Sequence, residues 1–244
     1  MGQDELVHPM TGSGEHRVGS IAGIDIRLHW SFWLLVAVLA FEGWMTGSGL
    51  GDAVLWLVLV FGSVLVHELA HALVGRRRGA EVVDIVLMPL GGATRTIRFP
   101  NRPGDELVMV LVGPLTSLAL AGSAALLAAI SDSPLLPIDV HHGGLLARIT
   151  WLNLILGIFN LLPIFPMDGG RALHALLAFR WGTVRATLVA ARIGMVLAVI
   201  LGVGALVARN LWLVVIAWFL FDGARAEHSE AAAETTSAPA EGIT

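Results

Sequence analysis

Cysteine is absent from this chain, which excludes disulfides, thiol chemistry and thiolate metal sites. Any metal must therefore be held by nitrogen and oxygen ligands. Lysine is absent as well. All fifteen basic residues are arginine, a pattern that reflects genomic composition rather than physics. Charge of either sign is scarce: 14% of the 244 residues are charged, where a soluble domain carries about a quarter. The net charge of −4 offers no basic surface, so no nucleic-acid partner is expected. The polar N-terminal stretch lacks the apolar core of a secretory signal.

Hydrophobic residues take the place of the missing charge. They make up 56% of the chain, mean hydropathy is +0.78, and they gather in long runs. The expected fold class is an all-α polytopic membrane protein with about six transmembrane helices. Residues 1–23 read as a polar N-terminal segment, 24–224 as the transmembrane core, and 225–244 as a disordered tail. The first span is expected to begin near Leu28, with Trp30, Trp33 and Trp44 as interfacial anchors. Further spans fall at 52–75, 105–130, 145–162 and 185–209. The sixth, at 211–221, has only eleven strongly apolar residues. Between spans two and three, Ala80 to Phe99 is rich in Val, Ile and Thr and broken by Pro89, Gly91 and Gly92. That pattern predicts a small strand–turn–strand insertion. Its edges cannot face lipid, so it must lie at the interface or against protein. Arginines cluster in alternate loops, which predicts a multi-pass protein of the cell membrane with both termini cytoplasmic.

Ionisable residues inside such runs need a reason, because burying them is costly unless they are paired or bound. LVHELAHAL, Leu65 to Leu73, holds three of them. On a helix, His67 and His71 share a face and can grip one ion. Glu68 lies beside them, within reach of a proton on a metal-activated water. This is the HExxH arrangement of zinc proteases. The bland alternative is a satisfied polar cluster joining helices. Two histidines leave a zinc site one protein ligand short. Asp168, in NLLPIFPMDGGR, is the strong candidate. Pro163 and Pro166 stop the helix before it, while Gly169 and Gly170 permit close backbone approach. Asn160 lies close enough to that segment to favour a place in the site. Asn153 suits a hydrogen bond between helices. Gly113 and Pro114 suggest close packing or a kink in the third span. His174 is read as a supporting or interfacial residue, Arg192 stays unassigned, and His141 and His142 fall in a distant loop.

Together these residues carry a pattern. HELAH at 67–71, MPLGG at 88–92, GPLTS at 113–117 and FNLLPIFPMDGGR at 159–171 are similar, in order and spacing, to the site-2 protease family of intramembrane zinc metalloproteases. The resemblance covers residues 20–224. It implies one Zn(2+) per chain held by His67, His71 and Asp168, with Glu68 as general base. Asn160 would position substrate or stabilise the oxyanion. Gly91, Gly92, Gly113, Pro114, Ser117, Asn153 and Gly169 are candidates for support or substrate contact. Ser117 stands where many relatives have asparagine. Neither a PDZ domain between the spans nor the CBS pair that some relatives append is expected. Implied partners are the lipid bilayer and single-span substrates such as anti-sigma factors or signal-peptide remnants. The rival from another class is a metal-ion or proton-coupled transporter using the same groups; it gives Glu68 no task once zinc is bound.

Overall fold

In a computed structural model of the chain, the described residues are 14–46, 50–89, 91–100, 102–136, 138 and 143–237. His141 and His142 lie outside them. Helix predominates among the described residues, and the chain divides into two units. One comprises residues 1–99 and 119–153, the other 100–118 and 154–244.

The first unit opens on a hairpin, β1 (Glu15–Ile21) and β2 (Ile24–His29). Its two-residue turn has positive φ at Ala22 and Gly23, the geometry that matches strand twist. Helices α1 (Ser31–Thr46) and α2 (Leu50–Arg77) follow, then β3 (Glu81–Met88) and β4 (Gly91–Arg98). The four strands form one sheet in the order β1-β2-β3-β4. β2 and β3 are parallel and the other pairs antiparallel; the two-helix crossover supplies the length a parallel pair requires. At the end of α2, Gly79 takes a positive φ. The Ala80 N–H donates to the Gly75 carbonyl, closing a Schellman-type cap. From that last turn, Arg76 donates to the carbonyls of Ala22 and Gly23 at 3.0 and 2.9 Å.

The register gives the sheet two unlike faces. Ile24, Ile26, Ile85, Leu87, Gly92 and Thr94 share one, and α2 lies against it. Asp25, Arg27, Asp84 and Arg95 share the other. Asp84 is 1% exposed. Arg27 pairs with it at 2.9 Å, and the Arg95 Nε donates to it at 2.6 Å. Arg95 also reaches Glu15 at 3.0 Å, so one ionic cluster ties β1, β2, β3 and β4. The hydrogen bond to Asp84, aided by the charges of Asp84 and Glu15 and opposed by burial, pushes the Arg95 guanidinium above its ordinary pKa. Asp84→Asn is expected to lower stability by about 3 kcal/mol, because it leaves two partly buried guanidiniums without their shared anion. Thermal unfolding in detergent checks this, and an unshifted midpoint would remove the cluster from the fold's supports.

The expected hairpin between helices two and three is present as β3 and β4, and β1 and β2 enlarge it to a four-stranded sheet. Residues 15–29 are strands, and the first helix starts at Ser31, not near Leu28. The reason is the alternation in IDIRLH, whose period of two buries Ile24 and Ile26.

In the second unit, residues 161–167 connect α4 (Leu145–Asn160) to α5 (Asp168–Trp181), and α6 (Thr183–Val207) and α7 (Leu211–Ser237) follow. Helix α3 (Pro103–Ile130), like α4, divides between the two units. α6 and α7 pack through small residues: a Cβ on Gly202 would lie 3.4 Å from that of Ala217, and one on Gly194 equally close to that of Ala224. Such pairs let helices approach without help from water. Ile164 and Phe165 insert into the clusters these helices build. α7 begins at an Asn210 cap, whose Oδ1 accepts from the Leu213 N–H at 3.1 Å. It continues to Ser237, through residues expected to be a disordered tail. Alanine and glutamate favour helix there, and Ala224 and Ala231 are buried. Arg192 of α6 meets His228 of α7 at 3.3 Å.

Among the described residues, three helices are long and apolar enough to cross a membrane: Leu50–Arg77, Pro103–Ile130 and Thr183–Val207. Leu145–Asn160 is apolar but shorter, as is the run Ser31–Met45. Lipid explains side chains that water would penalise, such as Val38, Phe41, Val199, Ile200 and Val203, each more than half exposed.

Candidate metal centre

The i,i+4 spacing on α2 brings His67 and His71 together as a helix dictates. They are 3% and 6% exposed, and their Nε2 atoms lie 3.2 Å apart. Two nitrogens ligating one tetrahedral zinc at about 2.0–2.1 Å sit about 3.3–3.4 Å apart. The pair therefore fits a shared ion with little adjustment. Between the rings alone, one nitrogen must give a proton to the other; with a metal, both lone pairs serve the same centre.

Glu68, one residue on, is half-buried and points at the sheet. The Thr94 hydroxyl lies 2.7 Å from Glu68 Oε2 and 3.1 Å from the Glu68 carbonyl. A Cβ on Gly92 would come within 2.7 Å of Glu68 Cγ and 2.9 Å of Val64 Cγ1. The second glycine of MPLGG is thus the residue that lets β4 lie on α2 at this point. Gly91, with φ 141, holds a conformation that side chains rarely adopt. One turn before His67 on α2, Ser63 accepts from the Asn153 amide at 3.0 Å. Asn153, 1% exposed, also donates to the Ile149 carbonyl and so ties α4 to α2.

In the second unit, Asp168 opens α5, where an acidic residue complements the helix N-terminus. The glycines after it are sterically required. A Cβ on Gly169 would lie 2.3 Å from the carbonyl oxygens of Leu161 and Leu162, and one on Gly170 2.5 Å from the Phe165 nitrogen. The DGG sequence thus lets residues 161–167 fold back onto the first turn of α5. Gly113 and Pro114 are buried on α3, Ser117 is fully buried there, and a Cβ on Gly157 would sit 3.1 Å from the Pro114 carbonyl. They mark close packing of α3 on α4. Asn160 ends α4 and donates to the Leu156 carbonyl of its own helix at 3.0 Å. His174 pairs with Glu106 at 3.1 Å, both largely buried. Thr94 was not legible in the sequence as a neighbour of Glu68. The alternation of GGATRT does put Gly92 and Thr94 on one strand face, but which helix that face meets is a tertiary matter.

Among the described residues, one group of three histidine or acidic side chains could hold a metal ion: His67, His71 and Asp168, each offering one ligand atom, all within 4.8 Å of one another. Two imidazoles and a carboxylate form a nitrogen and oxygen set suited to zinc, with a coordination position left for water.

A family model described as peptidase family M50 matches residues 55–135 and 137–201. A zinc metalloprotease of Methanocaldococcus jannaschii, MJ0392, is 36% identical over 222 residues, covering 90% of this chain and 62% of the relative. Stage IV sporulation protein FB of Bacillus subtilis is 32% identical over 154 residues, covering 63% of this chain and 48% of that protein. Among solved structures, a site-2 protease from Methanocaldococcus jannaschii superimposes with a TM-score of 0.66 at 34% identity, over 88% of this chain and 95% of the other. The chain belongs to peptidase family M50, the site-2 protease family. With three apolar helices of spanning length, it is a membrane protein. It spans about three fifths of the length of the first of these relatives and about half of the second.

Proposed function

We propose that this chain is a zinc-dependent intramembrane endopeptidase that cuts peptide bonds in or near transmembrane segments of other membrane proteins. The observation that carries this reading is the buried imidazole pair at zinc-ligand spacing with Glu68 beside it on the same helix. The spacing of Asp168 to both histidines supports its place as the third ligand.

His67, His71 and Asp168 would hold one zinc. When bound, zinc supplies Lewis acidity, making a water acidic and polarising the peptide carbonyl. Glu68 accepts the proton of the attacking water and returns it to the leaving amine. Asn160, ending α4 beside the 161–167 segment, orients the substrate backbone or hydrogen-bonds the developing oxyanion. Substrates are single-span proteins, of the kind exemplified by anti-sigma factors and signal-peptide remnants. Their helix must be unwound first, because its carbonyls are engaged in hydrogen bonds.

The proposed topology has six spans within a core of residues 24–224, with both termini cytoplasmic. The spans are α1, α2, α3, α4, α6 and the apolar start of α7. Purified protein in detergent is expected to cleave at least one of a panel of transmembrane segments. A zinc chelator should abolish cleavage and added zinc restore it. Cleavage undiminished in chelator would end the metalloprotease reading.

A further inference from the structure

The small sheet meets α2 at Glu68. Thr94 and Gly92 share the β4 face that meets α2. Glu68 extends along that face, its stem over Gly92, where a Cβ would stand 2.7 Å from Cγ. Its carboxylate ends at the Thr94 hydroxyl, 2.7 Å from Oε2. That hydroxyl has one proton and two acceptors in range, the carboxylate oxygen and the Glu68 carbonyl at 3.1 Å. The shorter contact is to the carboxylate, so the proton goes there.

We propose that Thr94 is a positioning residue for Glu68, fixing one carboxylate oxygen so that the other faces the attacking water. This rests on the role of Glu68 as general base proposed above. The strand carrying Thr94 cannot drift. Thr94 is paired with the fully buried Ile85, and Gly92 with Leu87. On the opposite face the next residue, Arg95, is bound to Asp84 and Glu15. A slip of one residue would exchange Thr94 for Arg95 or Ala93 at the helix. The ionic cluster therefore holds in register the strand that aims the hydroxyl. A glutamate free to rotate about its own torsions would reach the reactive geometry only part of the time, and small misplacement of a catalytic group is expensive in rate.

Thr94→Val (T94V) keeps the branched shape and removes the proton; Thr94→Ser (T94S) keeps the proton. The full chain in detergent, with a transmembrane peptide that it cleaves, gives three readouts: kcat, KM and zinc per chain. For T94V, kcat is expected to fall about 10- to 100-fold, with KM and zinc unchanged, whereas T94S keeps at least half the wild-type kcat. Should T94V fail to fold, Thr94→Ala takes its place in the same comparison. Wild-type kcat in T94V, equal losses in T94V and T94S, or a loss carried by KM or zinc would each overturn the assignment. If Glu68→Gln is inactive while T94V runs at full rate, only this inference falls. If Glu68→Gln cleaves like wild type, the general-base reading falls with it.

Discussion

Glu68→Gln (E68Q) is expected to purify with one zinc per chain and to lose transmembrane-peptide cleavage by about 10³-fold or more. The substitution is nearly isosteric, so the stem still passes over Gly92 and the Thr94 hydroxyl still finds an oxygen acceptor. What disappears is the ability to take a proton. In the proposed mechanism one carboxylate serves both the attacking water and the leaving amine, so its loss acts on both halves of the reaction. Elemental analysis beside a cleavage rate checks the expectation. The same variant separates the protease from the transporter. A transport site built from these groups has no need of a base once the ion is bound, so E68Q would leave metal flux into vesicles intact. Zinc missing from E68Q would recast Glu68 as a ligand, and equal turnover would sink its role as base.

The candidate site was more legible in the sequence than the sheet beside it, for a physical reason. His67, Glu68 and His71 lie on one helical turn, so their geometry follows from spacing alone. The proline and glycine pattern around Asp168 announced an irregular backbone, and its glycines lie where a Cβ would strike the carbonyls of Leu161 and Leu162. β3 and β4 are sequence neighbours joined by a short turn, and Val, Ile and Thr gave them away. β1 and β2 were hidden for two reasons. Their alternation is short and merges into the apolar run of α1, and β2 finds its partner β3 only after two intervening helices. Parallel pairing across such a crossover leaves no local trace. The ionic cluster has the same character: Glu15, Arg27, Asp84 and Arg95 read as four scattered surface charges until the register gathers them. At the C-terminus, composition misled. The charged and alanine-rich residues after Arg225 resemble a solvated tail, yet they are good helix formers and keep Ala231 in a packed position.

Asp168→Ala should remove zinc rather than merely slow the reaction. The two imidazoles come from one turn of one helix and suffice to hold an ion only loosely. In the proposed site the carboxylate, from a distant part of the chain, is the third ligand. Zinc binding by four-ligand structural sites is worth about 10–16 kcal/mol, so one ligand accounts for about 2.5–4 kcal/mol, or about 10²- to 10³-fold in affinity. D168A is therefore expected to emerge from dialysis with little zinc and no cleavage, and to recover metal only at far higher free zinc than the wild type. Asn160→Ala, beside the same proline segment, should keep its zinc while losing rate, because the proposed role of that amide is on substrate rather than on metal. Competition against a chromophoric chelator measures both affinities directly. A D168A protein that holds zinc as tightly as the wild type would show that the third ligand lies elsewhere, and would leave the MDGG turn with only the structural task its glycines perform.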